Sequence, residues 1–349
     1  MSIPFKRPTP ALSIDIVREK RALTRHFRRR GVPKRESGKL LLASWNIANL
    51  GAQGRPDRAL ELIAHILRRF DLIAVQEVNE RFSTFLKVMK YLGSQFDYVM
   101  NDTAGNTERL VFIYRKSKVK TRNLFGEVAL RKIEYPKRNV TVRYRDGGVD
   151  RTRKYRNVRF QPFDRNPFIG SFASDNFDLT LVNVHLYFGE FQNSKTEKDQ
   201  LKYCRRVLEI CALAKWASRR TDRAKTYDQD IVMLGDMNVP RMDSAESTYK
   251  ALTSYGAEPV KLLENLEKTG GTNINNDRSY DQLAFVPGRI GNRVLDHGVF
   301  DFDNAVFKHR WNSICNEISA NRKRITRFNS YVKHYLSDHR LIWVQLDVS

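Results

Sequence analysis

The chain has 349 residues, 41% of them hydrophobic, with 20 Phe, 14 Tyr and 4 Trp, which is enough for a sizeable core and excludes a disordered chain. Its 62 Lys and Arg stand against 39 Asp and Glu, a net charge of +23 that points to a polyanionic partner, nucleic acid first and an anionic membrane surface second. The cysteines Cys204, Cys211 and Cys315 form no metal-type CxxC pair, no segment approaches the ~20 apolar residues of a membrane span, and the N-terminus lacks a signal-peptide run, so a soluble cytoplasmic protein is expected.

Residues 1–38 form a basic arm. Ten Lys or Arg lie between Ile16 and Lys39, including Arg28-Arg29-Arg30, and Gly31-Val32-Pro33 interrupts any helix. The arm is either a helix laid on phosphates or a solvated tail. Residues 39–349 carry no internal repeat and no Gly/Pro/Ser-rich linker, and read as one domain.

Leu40-Leu41-Leu42-Ala43-Ser44-Trp45-Asn46-Ile47 has the pattern of a buried strand that delivers Asn46 at its end. Leu60, Ile63, Ile66 and Leu67 at helical spacing predict a helix over 55–70. The next apolar run, Leu72-Ile73-Ala74-Val75, leads straight into Gln76-Glu77. Strand, helix, strand at this spacing is the pattern of an α/β protein. A helix over 80–92 and a short strand over 96–100 precede a loop at 101–107. Glu108-Arg109-Leu110-Val111-Phe112-Ile113-Tyr114-Arg115 is a strand, and 119–125 is expected to complete a hairpin-like pair with it.

Residues 126–160 carry eleven Lys or Arg against four acids, interleaved with Tyr135, Tyr144, Tyr155 and Phe160. Asp146-Gly147-Gly148 marks the turn of a protruding hairpin, an insertion suited either to tracking a phosphate backbone or to a plain polar surface. Strands follow over 166–172 and 178–186, the second carrying Asn183 and His185, and then an amphipathic helix over 196–219. The run Ile231-Val232-Met233-Leu234 ends in Gly235-Asp236-Met237-Asn238, whose Asp and Asn point the same way in an extended chain. A helix over 245–255, a loop over 270–277 and a strand over 279–285 bearing Asp281 come next. A basic helix-and-loop region spans 308–334, and Ser337-Asp338-His339 feeds a last strand over 341–346.

Strand ends thus supply Asn46, Glu77, His185, Asp236 with Asn238, Asp281, and Asp338-His339. Each alone also suits a cap, a turn or a core hydrogen bond. In an α/β domain, however, the carboxyl ends of neighbouring strands open onto one crevice, and the repetition at one structural position is what carries weight. Glu77, Asn46 and Asp338 are hard oxygen ligands suited to Mg2+ or Mn2+. His339 beside a carboxylate such as Asp281 makes a general base or a phosphate-stabilising dyad. No nucleophile motif, Walker-type loop or GxGxxG competes.

Six short motifs in this order resemble the endonuclease/exonuclease/phosphatase superfamily: Trp45-Asn46-Ile47, Gln76-Glu77-Val78, Val184-His185-Leu186, Gly235-Asp236-Met237-Asn238, Tyr280-Asp281-Gln282 and Ser337-Asp338-His339. Glu108-Arg109-Leu110-Val111-Phe112 and Arg165-Asn166-Pro167 bring the resemblance nearest to deoxyribonuclease I-like nucleases. It implies a four-layered α/β sandwich of two packed mixed β-sheets flanked by helices, and hydrolysis of DNA phosphodiesters by a metal-activated water. It also implies that Asn46 and Glu77 hold Mg2+ or Mn2+ with Asp338 close by, and that Asp236 and Asn238 orient water or phosphate. His185 with Glu108 and His339 with Asp281 would be two histidine–carboxylate pairs, with Asp296 a rival to Asp281. Arg165 and Arg109 would contact substrate.

The chain departs from that pattern where Asn106 and Thr107 replace a tyrosine and Asn79 an arginine, and it lacks the disulfide of secreted relatives. Two other functions fit the same residues: a phosphatase or phosphodiesterase acting on a lipid or small phosphate ester, and a non-catalytic DNA-binding relative. Basic charge spread over the arm and the insertion favours nucleic acid over a small ester.

Overall fold

The computed structural model describes residues 3–103, 107–189, 195–221, 227, 229–260, 271–286, 290–316 and 318–349. Asp15 caps the first helix, α1 (Ile16–Arg29), by accepting the Arg18 amide at 3.1 Å. The first apolar run is β1 (Lys39–Leu50), and α2 (Asp57–Leu67) connects it to β2 (Leu72–Asn79). Then come α3 (Phe82–Leu92), β3 (Phe96–Met100), β4 (Glu108–Arg115) and β5 (Lys120–Glu127). The basic insertion is a two-stranded ribbon of β6 (Lys137–Asp146) and β7 (Val149–Arg159), turned by Gly147 and Gly148 at positive φ. It is followed by β8 (Phe168–Ser174), β9 (Phe177–His185), the long α4 (Glu197–Thr221) and β10 (Ile231–Asp236). The last third holds α5 (Ser247–Thr253), β11 (Glu258–Pro259), β12 (Asp281–Phe285), β13 (Val294–Phe300), α6 (Trp311–Cys315), α7 (Asn321–Tyr335) and β14 (Leu341–Asp347).

The strands build two mixed six-stranded sheets, ordered β13-β14-β1-β2-β4-β3 and β11-β12-β10-β9-β8-β5. Alternating residues from each sheet form a shared apolar layer in which Leu40, Leu42, Leu72, Ala74 and Phe112 meet Leu179, Leu181, Val232 and Leu234. Helices cover both outer faces: α1, α2, α3, α6 and α7 on the first sheet, α4 and α5 with the ribbon on the second. This is the four-layered sandwich expected. Each sheet is centred on one parallel pair, β1 with β2 and β9 with β10. The carboxyl ends of those four strands lie at one edge with the starts of their antiparallel neighbours β4, β12 and β14.

Three local expectations change. The strand after Lys118 is not a hairpin partner of β4. Both sides of β4 are occupied, by β2 and β3, so the chain crosses to the other sheet and β5 edges β8. The ribbon does not protrude freely: Val140 and Val142 are buried against α4, and Tyr155 donates to Gln200 at 2.7 Å. Its second strand keeps Arg151, Arg153, Lys154, Arg156 and Arg159 exposed. In the basic arm, α1 buries Leu23 and Phe27, four residues apart, and Phe27 stacks on Phe300 at 4.1 Å. Arg18, Arg21, Arg25, Arg28 and Arg29 remain exposed on its other side. Cys204, Cys211 and Cys315 are buried and free. No helix among the described residues is long and apolar enough to cross a membrane.

Candidate active site

Backbone register assembles the site before any side chain is considered. Asp236, last residue of β10, pairs with His185 on β9 and with Asp281 on β12. Gly235 is required immediately before it: its φ is +136°, and a Cβ there would run into the Val184 carbonyl of the neighbouring strand. Glu77 and Asn238 are held at φ +61° and +54°, left-handed conformations that cost L-residues on the order of 1–3 kcal/mol and concentrate at functional sites.

Asp236 is where the polar groups meet. Its Oδ1 accepts the Asn238 amide at 3.0 Å. Its Oδ2 accepts Asn46 Nδ2 at 3.1 Å and lies 3.8 Å from His185 Nε2 and 3.7 Å from His339 Nε2. Each imidazole is gripped on its other side by a carboxylate: His185 Nδ1 is 2.8 Å from Glu108 Oε2, and His339 Nδ1 is 2.9 Å from Asp281 Oδ2. Arg165 backs the first pair, its Nε 2.8 Å from Glu108 Oε2. The His339 carbonyl accepts the Trp45 indole N–H at 2.8 Å. Glu77 Oε1 accepts Asn46 Nδ2 at 2.9 Å and Oε2 accepts the Asn49 amide at 2.8 Å.

The charges are tuned by these contacts. Burial opposes ionisation of Glu108, but His185 and then Arg165 outweigh it and hold the carboxyl at about 2. Burial and Arg165 work against a charge on His185, while Glu108 and Asp236 overcome both and raise its pKa. His339 is raised well above the ordinary histidine range because Asp281 and Asp236 outweigh its burial. Both imidazoles therefore favour the protonated, donor form.

The donor set suits a hard divalent cation. Asn46 Oδ1 is buried with no hydrogen-bond partner among the described residues, beside the Glu77 carboxylate. Asp338 is half-buried, and both it and Glu77 act on the charge of Arg55. Among the described residues, Asp236, Asp281 and His339 also form a group whose ligand atoms lie within 4.8 Å of one another. There, the 2.9 Å hydrogen bond engages one atom each of Asp281 and His339, while Asp281 Oδ1, like Asn46 Oδ1, is buried with no hydrogen-bond partner among the described residues. Oxygen donors such as those of Asn46, Glu77 and Asp338 are the type that Mg2+ or Mn2+ takes.

Most expected residues converge, and a few do not. The alternation of β4 sends Arg109 to the face opposite Glu108, where it pairs with Asp102 at 3.3 Å and lies over Phe82. Asp296 sits on β13 opposite Gln345, away from His339, which leaves Asp281 as the partner. Asn79 donates to the Glu77 carbonyl at 3.2 Å, and Asn106 lies outside the described residues.

Two buried arginines went unrecognised in the sequence. Arg55 donates to the Leu336 carbonyl at 2.8 Å and to that of Ala48, tying the end of β1 to the segment before Asp338; burial lowers its pKa to about 10. Arg206 reaches from α4 to the carbonyls of Phe188, Gly189 at 3.0 Å and Asn238 at 3.4 Å. An arginine on the apolar face of an amphipathic helix was the available signal for Arg206; for Arg55 there was none.

No family model matches the chain, and no curated protein matches it in sequence. Solved structures similar to it include an endonuclease/exonuclease/phosphatase family protein from Bacteroides thetaiotaomicron, at 16% identity over 88% of this chain and 97% of that one, with a TM-score of 0.46. D. rerio TDP2 humanized by 14 mutations matches at 15% identity over 88% and 99%, with a TM-score of 0.49. The human Nocturnin catalytic domain with bound sulfate matches at 13% identity over 88% and 94%, with a TM-score of 0.47.

Proposed function

We propose that this protein is a divalent-metal-dependent nuclease that hydrolyses phosphodiester bonds of DNA. The observation that carries the reading is the convergence of His185 and His339, each held by its own carboxylate, on one oxygen of Asp236. Such a set offers an acceptor for the attacking water flanked by two donors for phosphoryl oxygens.

In this reading Asp236, fixed through Oδ1 by the Asn238 amide, uses Oδ2 to orient the water and take its proton. As the water oxygen bonds to phosphorus, one ester P–O bond breaks and the leaving sugar oxygen takes a proton from solvent, while His185 and His339 donate from Nε2 to the phosphoryl oxygens as charge develops on them. Glu108 and Asp281 fix the orientation of the two rings and stabilise their charge, and His185 and Arg165 keep Glu108 ionised. Asn46, Glu77 and Asp338 would hold Mg2+ or Mn2+, which neutralises charge on the phosphoryl group when bound. The choice of nucleic acid over a small ester rests on the net charge of +23 and the exposed cations of α1 and the ribbon, far more than a small ester needs.

The test is incubation with supercoiled plasmid in magnesium, with and without chelator, alongside phosphorylated lipid vesicles. Nicking that chelator abolishes is the expected result. Turnover of lipid with intact plasmid would assign the site to the small-ester reading, and plasmid binding without any turnover would mark a non-catalytic relative.

A further inference from the structure

Beside His339 opens a cleft of about 680 Å³ whose walls come from the ribbon, α4 and the loops after β9 and β10. Two aromatic rings stand in it. Phe188, 42% exposed although it follows the buried Leu186 by only two residues, lies at 90° to Tyr280 with centroids 5.9 Å apart. The Tyr280 ring in turn is 6.1 Å from that of His339. Arg206 fixes this corner by holding the Phe188 and Gly189 carbonyls, with its guanidinium 5.1 Å from the Phe188 ring.

The charges around the corner are sorted. Three of the acidic side chains that line it are engaged: Glu246 accepts from the Tyr203 hydroxyl, Asp277 from Asn273 Nδ2 at 2.8 Å, and Asp243 from the Ala245 amide at 2.8 Å; the fourth, Asp338, is the one set beside Asn46 and Glu77 for the cation. Arg143 on the ribbon and Arg241 after β10 line the same cleft, and neither guanidinium has a hydrogen-bond or ion-pair partner among the described residues.

Building on the nuclease reading, we infer that Phe188 and Tyr280 form a stacking subsite for one unpaired base next to the scissile phosphate, with Arg143 and Arg241 receiving the phosphates beyond it. The substrate it fits is single-stranded nucleic acid, a single-stranded extension, or a strand that underwinding opens in a supercoiled plasmid. A paired base in a duplex keeps its faces stacked on its neighbours and cannot lie in this corner without being extruded. The cleft thus takes a flexible strand by its backbone charge and one base by its face, with no need to read sequence.

The test is equilibrium binding of a phosphorothioate-linked single-stranded oligonucleotide carrying 2-aminopurine, followed by fluorescence. It reads the subsite independently of hydrolysis, so failure of turnover and failure of this inference are separable. Wild type should quench the probe and bind it more tightly than the same sequence as a duplex. Phe188→Ala should lose the quenching and weaken single-strand binding roughly tenfold, while Phe188→Trp retains both. The double variant Arg143→Gln with Arg241→Gln should weaken binding, flatten its salt dependence and keep the quenching at saturation. Unquenched probe with wild type, Phe188→Ala binding like wild type, or preference for the duplex would each overturn the inference.

Discussion

Gln76 Nε2 donates to Asn183 Oδ1 at 2.6 Å, a bond that joins the two sheets one residue before Glu77 and two before His185. Asn183 completes its contacts by donating to the Val75 carbonyl at 3.2 Å and the Val111 carbonyl at 3.1 Å, and Gln76 donates to Ser44 Oγ at 3.1 Å. Apolar side chains elsewhere between the sheets tolerate small slips. This polar bridge has directions, and it fixes where Glu77 stands relative to His185.

Asn183→Ala strips that bridge, takes one of the two acceptors from Gln76 Nε2 and removes the side-chain donor from two carbonyls in a buried interface. The expected cost is about 2–4 kcal/mol in urea unfolding. Asn183→Leu should restore volume without restoring stability, and recovery in the leucine variant would mean packing, rather than the bridge, is what the position supplies.

His339 and Asp281 should behave as one unit. Asp281→Asn and His339→Ala are each expected to lower kcat by about 10²–10⁴-fold, and the double variant should be little worse than the His339→Ala single. Additive losses measured in steady-state rates would separate the two residues.

Glu209 on α4 is wholly buried, and although it accepts the Tyr187 amide at 2.8 Å and the Asp164 amide at 3.0 Å, burial pushes its carboxyl up to about 7. The folded chain therefore binds this proton more tightly than the unfolded one. The corresponding stability is present below about pH 4.5 and is lost as pH rises through about 7, a change on the order of 3 kcal/mol. Urea midpoints taken from pH 4 to 8 should fall more steeply for wild type than for Glu209→Gln; parallel curves would contradict this.

The oxygen donors should be separable from the histidines by metal titration. Glu77→Gln and Asn46→Ala are expected to weaken Mg2+ binding at least tenfold by calorimetry, whereas Glu108→Gln, whose carboxylate is taken up by His185 and Arg165, should bind Mg2+ nearly as wild type does. The opposite order would move the cation toward the His185 side.

The strands and the residues at their ends were legible because burial on both faces writes a continuous apolar run, and a polar residue closing such a run stands out, as Asn46, Glu77 and Asp236 do. Pairing was not legible. Nothing local in 119–125 says that β5 belongs to the other sheet, because that is decided by β3 occupying the second side of β4. The positive φ of Glu77 and the reach of Arg55 and Arg206 are consequences of tertiary packing, to which neither propensity nor spacing is sensitive. The direction of Arg109 was available from alternation along β4, but a motif of adjacent Glu and Arg drew both toward one site.

The most direct measurement is the initial rate of magnesium-dependent plasmid nicking by Asp236→Asn beside wild type, with circular dichroism confirming that the variant is folded. Asparagine keeps the shape and still accepts the Asn238 amide, but removes the charge shared by His185 and His339. The account predicts a rate at least a thousandfold lower. A folded variant within tenfold of wild type would contradict the placing of Asp236 at the centre of the chemistry.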